Sequence, residues 1–274
     1  VCILFAGCLV VGIVGCAYCP EPEGQTMKLL SVLNREARHL ARSKFIVICL
    51  LATLIMSGLA VHSGQQQVNS QLAVIAELIE LDGNELELAR AEQSDWGGLA
   101  YASFHFVYNE PSLFAFAALG QRESEPWKHR VRALALEGQI YERDVGNPVL
   151  ALVGSFDFAF FGGVVVPLLL IVLLHDLKSQ ERENRRLSLL VASSGAASSP
   201  FRLRATLISV SVAFASCIPL VFGALMSGAS MTTVGAGLLV LFLNVGFWSY
   251  LCYAIANKER GSANLLGQLL GIWV

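Results

Sequence analysis

The residues that could carry chemistry are few, and their spacing matches no catalytic pattern. The stretch Cys16–Cys19 (CAYC) has the spacing of a redox or metal-binding pair, and residues 13–16 (IVGC) have the form of a lipoprotein cleavage box. Both patterns are short and arise often by chance. The five histidines are scattered, and no GxxxxGK[ST], HExxH or GxSxG pattern occurs. We therefore expect no catalytic residue, cofactor site or metal site in this chain.

One segment, residues 176–204, is rich in charges of both signs. It holds six basic and three acidic residues. Its first half predicts a short charged helix that continues from the apolar segment before it, and the small residues 193–200 (SSGAASSP) predict its end.

The composition indicates the environment of these residues. Of 274 residues, 55% are hydrophobic and only 15% are charged, with a mean hydropathy of +0.60. Soluble domains contain about 25% charged residues. The net charge of −2 provides no attraction for nucleic acid phosphates. The composition predicts an all-α integral membrane protein, built as a polytopic helical bundle in contact with lipid.

Several uncharged stretches are long enough to cross a bilayer, which takes about 20 apolar residues. Residues 45–61 and 158–174 are two of them. The uncharged run 205–257 is too long for one crossing, and the small cluster Ser227–Ser230 (SGAS) predicts a turn that divides it. Two spans, at about 203–226 and 232–256, follow from that division. Residues 261–274 resemble the start of a further span, within which the sequence ends.

The distribution of basic residues predicts the orientation in the membrane. Residues 27–44, the segment 176–204 and the short loop after 256 together hold 13 of the 19 basic residues. Residues 63–153 instead contain 13 acidic and 6 basic residues. Because lysine and arginine in short loops are retained in the cytoplasm, we expect a multi-pass protein of the cell membrane. Residues 27–44 would be cytoplasmic and residues 63–153 extracytoplasmic.

The extracytoplasmic insertion is expected to be mainly helical. Apolar residues between 66 and 93 recur with a period near 3.6, which predicts a helix, and Trp96–Gly98 (WGG) predicts its end. Residues 127–132 (WKHRVR) are interpreted as a solvated helix face. Six aromatic residues form a patch whose role is either a binding surface or a small core beside the membrane: Tyr101, Phe104, Phe106, Tyr108, Phe114 and Phe116.

Four regions follow from these patterns. Residues 1–26 are an apolar extension, interpreted as an extra span or as sequence upstream of a start at Met27. Residues 27–62 form a cytoplasmic amphipathic helix and the first span. Residues 63–153 form the extracytoplasmic domain, and residues 154–274 form the remaining membrane domain with its cytoplasmic loop.

The loop resembles the cytoplasmic coupling region of type 2 ATP-binding-cassette (ABC-2) permeases. The family's usual pattern is close to D-x-x-x-x-E-x-E-x-G-T-L, and Asp176, Glu181, Glu183 and Leu187 match it. Arg185 and Arg186 stand where the family has glycine and threonine. The basic segment 27–44 before the first span and the large insertion after that span are also similar to a subgroup of these permeases.

The resemblance implies the membrane-spanning subunit of an exporter. It implies a separate ATPase subunit, which would hold the ATP and dock on the loop, and a second permease chain to complete a homodimer or heterodimer. The coupling residues implied by the resemblance are Asp176, Glu181, Arg182, Glu183, Arg185, Arg186 and Leu187. An ordinary solvated loop is the alternative interpretation of this segment. The competing hypothesis is a membrane sensor or anchor protein whose outer domain binds a ligand or partner. The sequence identifies no substrate.

Overall fold

The computed structural model describes residues 33–38, 40–120, 122, 127–132, 156–185, 199–258 and 261–274. Residues 33–38 and 40–42 are helical and precede the first long helix. The elements after them are α1 (Lys44–Glu92), α2 (Trp96–Ala102), β1 (Phe104–Tyr108), β2 (Lys128–Arg132), α3 (Phe158–Leu174), α4 (Ser179–Glu183), α5 (Ser199–Ser227), α6 (Met231–Ala256) and α7 (Ser262–Trp273). Residues 1–26 lie outside the described part of the chain.

Within the described ranges, three helices are long and apolar enough to cross a membrane: α1, α5 and α6. They contain the predicted spans 45–61, 203–226 and 232–256. Helix α3 is apolar but shorter, and it has the bounds predicted for the second span. It contains one π-helical turn at Phe161–Val165. These helices confirm a mainly helical chain that could cross a membrane several times.

The turn predicted at Ser227–Ser230 is confirmed. Helix α5 ends at Ser227 and α6 begins at Met231. Gly228 between them has φ of +68°, a left-handed conformation that glycine adopts without the steric cost of a Cβ. The Oγ of Ser230 accepts a hydrogen bond from the amide of Thr233 at 3.3 Å, which satisfies a free donor in the first turn of α6.

The predicted outer helix is also present, because α1 continues without interruption to Glu92. Trp96–Gly98 was interpreted as the stretch that ends this helix, but the helix ends at Glu92. Helix α1 ends before this stretch, and Trp96 is the first residue of α2. Asp95 caps α2 by accepting a hydrogen bond from Gly98 N at 2.8 Å. A side-chain cap is therefore strong enough to start a helix despite two glycines.

A two-stranded antiparallel sheet corrects the all-α prediction. Strands β1 and β2 pair from Phe104 opposite Arg132 to Tyr108 opposite Lys128. Residues 127–132, interpreted as a helix face, therefore supply β2. The missed signal was the alternation of aromatic residues at 104, 106 and 108, since successive side chains of a strand point to opposite faces. The guanidinium of Arg130 lies 3.8 Å from the centre of the Phe104 ring, a cation–π contact across the strands.

The chain divides into two compact units. The first, called the loop unit, consists of the described residues within Val1–Thr53, Val166–Ala215 and Leu241–Val274. In it, α7 packs against α3, and the buried residues are Leu170, Ile171 and Leu174 of α3 with Leu265 and Leu269 of α7. The spacing of four residues between Leu265 and Leu269 places both on one face of α7.

The second unit, called the hairpin unit, consists of the described residues within Leu54–Val165 and Ser216–Val240. Its core is built around Phe116, which is 1% exposed and lies in the 3₁₀ turn Ala115–Ala117. A Cβ on Gly64 would collide with the backbone carbonyl of Phe116, and a Cβ on Gly223 would lie 3.0 Å from the Phe116 ring. The two glycines therefore provide the space that the phenylalanine turn occupies.

Polar contacts hold the same unit together. The hydroxyl of Ser57 donates to the carbonyl of Ser216 at 3.1 Å, and the amide of Gln65 donates to the carbonyl of Gly223 at 3.2 Å. Buried Asp157 accepts hydrogen bonds from Leu119 N and from Phe160 N, each at 2.8 Å. Both of its carboxylate oxygens are thereby satisfied, as a buried charge requires. Of the six residues of the aromatic patch, Phe116 belongs to the buried core of this unit.

Candidate partner-docking loop

The candidate loop begins with a turn and not with a continuation of the helix before it. Helix α3 ends at Leu174, residues 175–178 form a turn, and α4 begins at Ser179. The Oδ1 of Asp176 accepts a hydrogen bond from the hydroxyl of Ser179 at 2.5 Å, and Ser179 is buried. The prediction of one helix continuous with the span is corrected, because this side-chain pair stabilises a turn at the junction.

Helix α4 has only five residues and ends in a left-handed residue. Arg185 has φ of +57°, and its amide donates to the carbonyl of Arg182 at 3.0 Å. A non-glycine residue in this conformation is uncommon. Glycine adopts this conformation without steric cost. The structure thus gives Arg185 the backbone geometry for which glycine is better suited.

The centre of the site is a network of three charged side chains from three segments of the loop unit. The Nη1 of Arg204, in the first turns of α5, lies 3.4 Å from Oε1 of Glu181 in α4. The Nε of Arg204 lies 3.2 Å from Oε2 of Glu36, in the helical residues 33–38. Arg35 also approaches Glu36, at 3.9 Å, but its side chain is 70% exposed. Arg204 therefore bridges two carboxylates that are remote in the sequence.

Burial distinguishes this network from an ordinary surface ion pair. The side chains of Glu36, Glu181 and Arg204 are only 8%, 15% and 16% exposed. Charges withdrawn from water to this extent lose hydration energy, which only well-placed opposite charges can offset. Arginine suits the position because its planar guanidinium can donate to two carboxylates at once. The network thus joins α4, α5 and the basic segment 27–44.

The remaining candidates divide into inner and outer residues. Glu181 lies within the network, and Asp176 stabilises the turn, so neither carboxylate is presented freely to a partner. Glu183 and Arg185 are exposed, with Asn184 between them, and Arg182 is half-buried. The exposed surface at the end of α4 is therefore Glu183–Arg185. Arg186 and Leu187 lie outside the described residues.

Sequence reasoning missed two residues of the network. Glu36 and Arg204 were counted only as loop charges that indicate orientation. A signal for Glu36 existed, since it is the only acidic residue among five basic residues in the segment 27–44. A single acid there adds nothing to retention in the cytoplasm, which is a reason to look for a local partner. Its distance from Arg204 along the chain hid the pairing.

A second polar contact connects the loop to the end of α6. The Nζ of Lys178 lies 3.5 Å from Oδ1 of Asn257, at the outer limit of a hydrogen bond.

Among the described residues, no group of three or more histidine, cysteine, aspartate or glutamate side chains is arranged to hold a metal ion. In the described part of the loop, α4 is held by an ion pair to α5, whose Arg204 is also paired with Glu36. Comparison with protein-family models, with curated proteins and with solved structures finds no match for this chain.

Proposed function

We propose that this chain is the membrane-spanning permease subunit of an ATP-binding-cassette exporter. The observation that carries the proposal is the pair of ion pairs by which Arg204 links Glu181 of the loop to Glu36 of the basic segment 27–44. In this proposal, the exposed surface Glu183–Arg185 docks on a separate ATPase subunit. The matches of Asp176, Glu181 and Glu183 to the ABC-2 coupling pattern support the same function.

The network explains how a displacement at the loop would reach the membrane helices. In a flexible, solvated loop, the movement of a partner would change the conformation of the loop without moving the helices. Here Glu181 is ion-paired to Arg204, and Arg204 is part of the long apolar helix α5. A push on α4 would therefore be transmitted to α5 and, through Glu36, to the segment before α1. Coupling of this kind needs two discrete arrangements of packed elements, which the ATPase would favour in turn.

The proposal assigns ATP hydrolysis to the partner and leaves this chain without a catalytic role. The chain would act with a second permease chain, either a second copy or a related one. It would reside in the cell membrane with its loop on the cytoplasmic side. The substrate is not assigned by this proposal.

The test is a charge swap on the exposed end of α4. Glu183→Lys combined with Arg185→Glu reverses both charges and leaves the net charge unchanged, so the orientation signal is preserved. The variant is co-expressed with an ATP-binding-cassette ATPase encoded beside the chain's own gene, and co-purification of the ATPase is measured. We expect binding to weaken about 10-fold to 100-fold, or about 1.4 to 2.8 kcal/mol, because the swap places like charges opposite each other.

A matched control is available on α1. Glu87→Lys combined with Arg90→Glu swaps two exposed charges three residues apart, far along the chain from the loop. This control should recover as much ATPase as the wild-type chain, since isolated surface substitutions change little. Equal recovery with the loop swap, or no recovery with the wild-type chain, would contradict the proposal.

A further inference from the structure

An open cavity of about 320 Å³ lies within the hairpin unit. Residues 65–72 of α1 form one wall, the loop residues 110–113 with Phe116 form another, and the last residues of α5 close it. Its volume is at the lower end of the range of small-molecule sites, about 300 to 1,000 Å³. The cavity is large enough to receive part of a small ligand, and nothing in the proposed function uses it.

The cavity is positioned where a membrane surface is expected. The first predicted span ends at residue 61, four residues before the first lining residue of α1. Met226 and Ser227, at the end of α5, also line the cavity. A site at this level is open to molecules that place an apolar tail near lipid and a polar head in water. Exposed Leu72, Leu113 and Met226 provide apolar surface for such a tail.

The polar lining consists of four neutral residues, Gln65, Asn69, Ser112 and Ser227, and carries one charge. Glu110 is the only ionisable residue of the lining, and its side chain is exposed. The hydroxyl of Ser227 donates its proton to the carbonyl of Gly223 at 2.9 Å, so its oxygen is left to accept a hydrogen bond from a ligand. At Glu110 and Ser227 the lining therefore favours a ligand group that has a positive charge and donates hydrogen bonds.

Within the described part of this unit, Arg122 has hydrogen-bond partners of its own. Arg122 donates from Nε to Oε1 of Gln71 at 2.7 Å, and from Nη2 to the carbonyl of Asn109. Among the described residues, none forms an ion pair with Glu110. The excess of 13 acidic over 6 basic residues in 63–153 also attracts cations to this region.

We propose that this cavity binds the primary ammonium group of an amphiphile, with Glu110 as the counter-charge. The apolar tail lies on Leu72, Leu113 and Met226, and the ammonium group donates hydrogen bonds to Glu110 and Ser227. The site is independent of the exporter proposal, because binding here requires neither the ATPase nor the loop 176–204. Its failure and the failure of the exporter proposal are therefore separate results.

The test uses the full-length chain in phosphatidylcholine nanodiscs and decylamine with a photoreactive diazirine in its tail. Peptide mapping after illumination should find the label in the peptides containing residues 65–72 and 110–113. Unlabelled decylamine should displace the probe at least 10 times better than decanoate of the same length. Equal displacement by decanoate, or label spread evenly over the apolar helices, would overturn the assignment.

Two variants and one control separate charge from shape. Glu110→Gln removes the counter-charge from an exposed position, and decylamine should bind about 3-fold to 5-fold more weakly, as for a partly exposed ion pair. Asn69→Trp, at an exposed lining residue of α1, should fill the cavity and abolish specific labelling. Glu80→Gln alters an exposed carboxylate of α1 outside the lining and should change nothing. The same loss in Glu80→Gln as in Glu110→Gln would reject Glu110 as the counter-charge.

The same ammonium group could come from a free alkylamine or from a lipid headgroup. Nanodiscs with a fraction of phosphatidylethanolamine distinguish these sources. Competition by the lipid would show that a bilayer headgroup occupies the site, and unchanged labelling would show that it prefers single-chain amines.

Discussion

Arg204 connects three segments of the loop unit. It faces two carboxylates, Glu36 and Glu181, at 3.2 Å and 3.4 Å, and all three side chains are largely withdrawn from water. Arg204 is the charge that faces both acids, and Glu36 has a second, longer contact with the largely exposed Arg35 at 3.9 Å. Removal of the Arg204 charge would leave Glu181 without its ion-pair partner and Glu36 with Arg35 alone. Such a loss is far more costly than the loss of an exposed ion pair.

Arg204→Met tests this at the scale of one residue, since methionine has no charge and a comparable linear side chain. We expect the free energy of unfolding to fall by about 3 to 5 kcal/mol, the usual cost of breaking a buried ion pair from one side. The measurement is the loss of helical signal with denaturant in detergent. Arg38→Met, at an exposed basic residue of the same segment as Glu36, should cost less than about 0.5 kcal/mol.

A rescue experiment completes this test. Glu36→Gln and Glu181→Gln, added to Arg204→Met, remove the uncompensated charges and should recover most of the lost stability. If the triple variant is as unstable as Arg204→Met alone, packing and not charge explains the role of Arg204.

At the scale of an element, the close approach of the Ala115–Ala117 turn to α1 decides the packing of the hairpin unit. The turn reaches the helix only because Gly64 has no side chain, and a Cβ there would collide with the backbone of Phe116. Backbone atoms cannot turn away as a flexible side chain can. Either the turn or the helix would have to move.

Gly64→Ala therefore should lower the free energy of unfolding by about 1 to 3 kcal/mol, the usual range for overpacking. Gly58→Ala is the matched control, since it lies in the same helix and its Cβ would meet nothing within 4 Å. This control should be neutral or more stable by up to about 1 kcal/mol, because alanine favours a helix. Thermal unfolding of both variants checks the difference, and equal effects would contradict the packing at Phe116.

The helices could be predicted more completely than the site. Long uncharged runs and the small residues Ser227–Ser230 were sufficient for α5 and α6, because the length of a span and the conformational freedom of Gly228 are local properties. The hairpin of β1 and β2 was missed because its pairing joins Phe104 to Arg132 across many intervening residues. Local patterns cannot specify which distant segment completes a sheet.

The site shows the same limit. The candidates Glu181 and Glu183 come from a local pattern, but the pattern cannot say which of them faces inward. That distinction depends on Arg204 and Glu36, and Glu36 precedes Glu181 by about half of the length of the chain. The turn at Asp176 was missed for a related reason, since its hydrogen bond to Ser179 competes with a helix that the sequence alone would continue.

At the scale of the whole molecule, exposed apolar surface along the long helices requires a non-aqueous environment. On α1, the side chains of Phe45, Ile48, Ile55 and Leu59 are each more than half exposed. The spacing of three, seven and four residues places them along one face of the helix. Soluble proteins seldom expose contiguous apolar patches of this kind, whereas lipid covers them without cost. The composition and the exposure thus agree on a membrane environment.

The orientation predicted by the basic residues can be tested at two exposed positions. Ser94 lies between α1 and α2, and Asn184 lies after α4, and both side chains are exposed. Each is replaced by cysteine in a chain whose seven native cysteines are changed to alanine. A membrane-impermeant maleimide should label the cysteine at 94 in intact cells and should label the cysteine at 184 only after the membrane is opened.

Because both positions are exposed, a difference in labelling reports the side of the membrane and not burial within the protein. Labelling of both variants in opened membranes is the control that establishes this. The expected pattern follows from the 13 acidic and 6 basic residues of 63–153, set against the basic excess of 176–204. Labelling at 184 but not at 94 in intact cells would place the loop outside. An ATPase confined to the cytoplasm could then not reach Glu183–Arg185, and the exporter proposal would fail with the orientation.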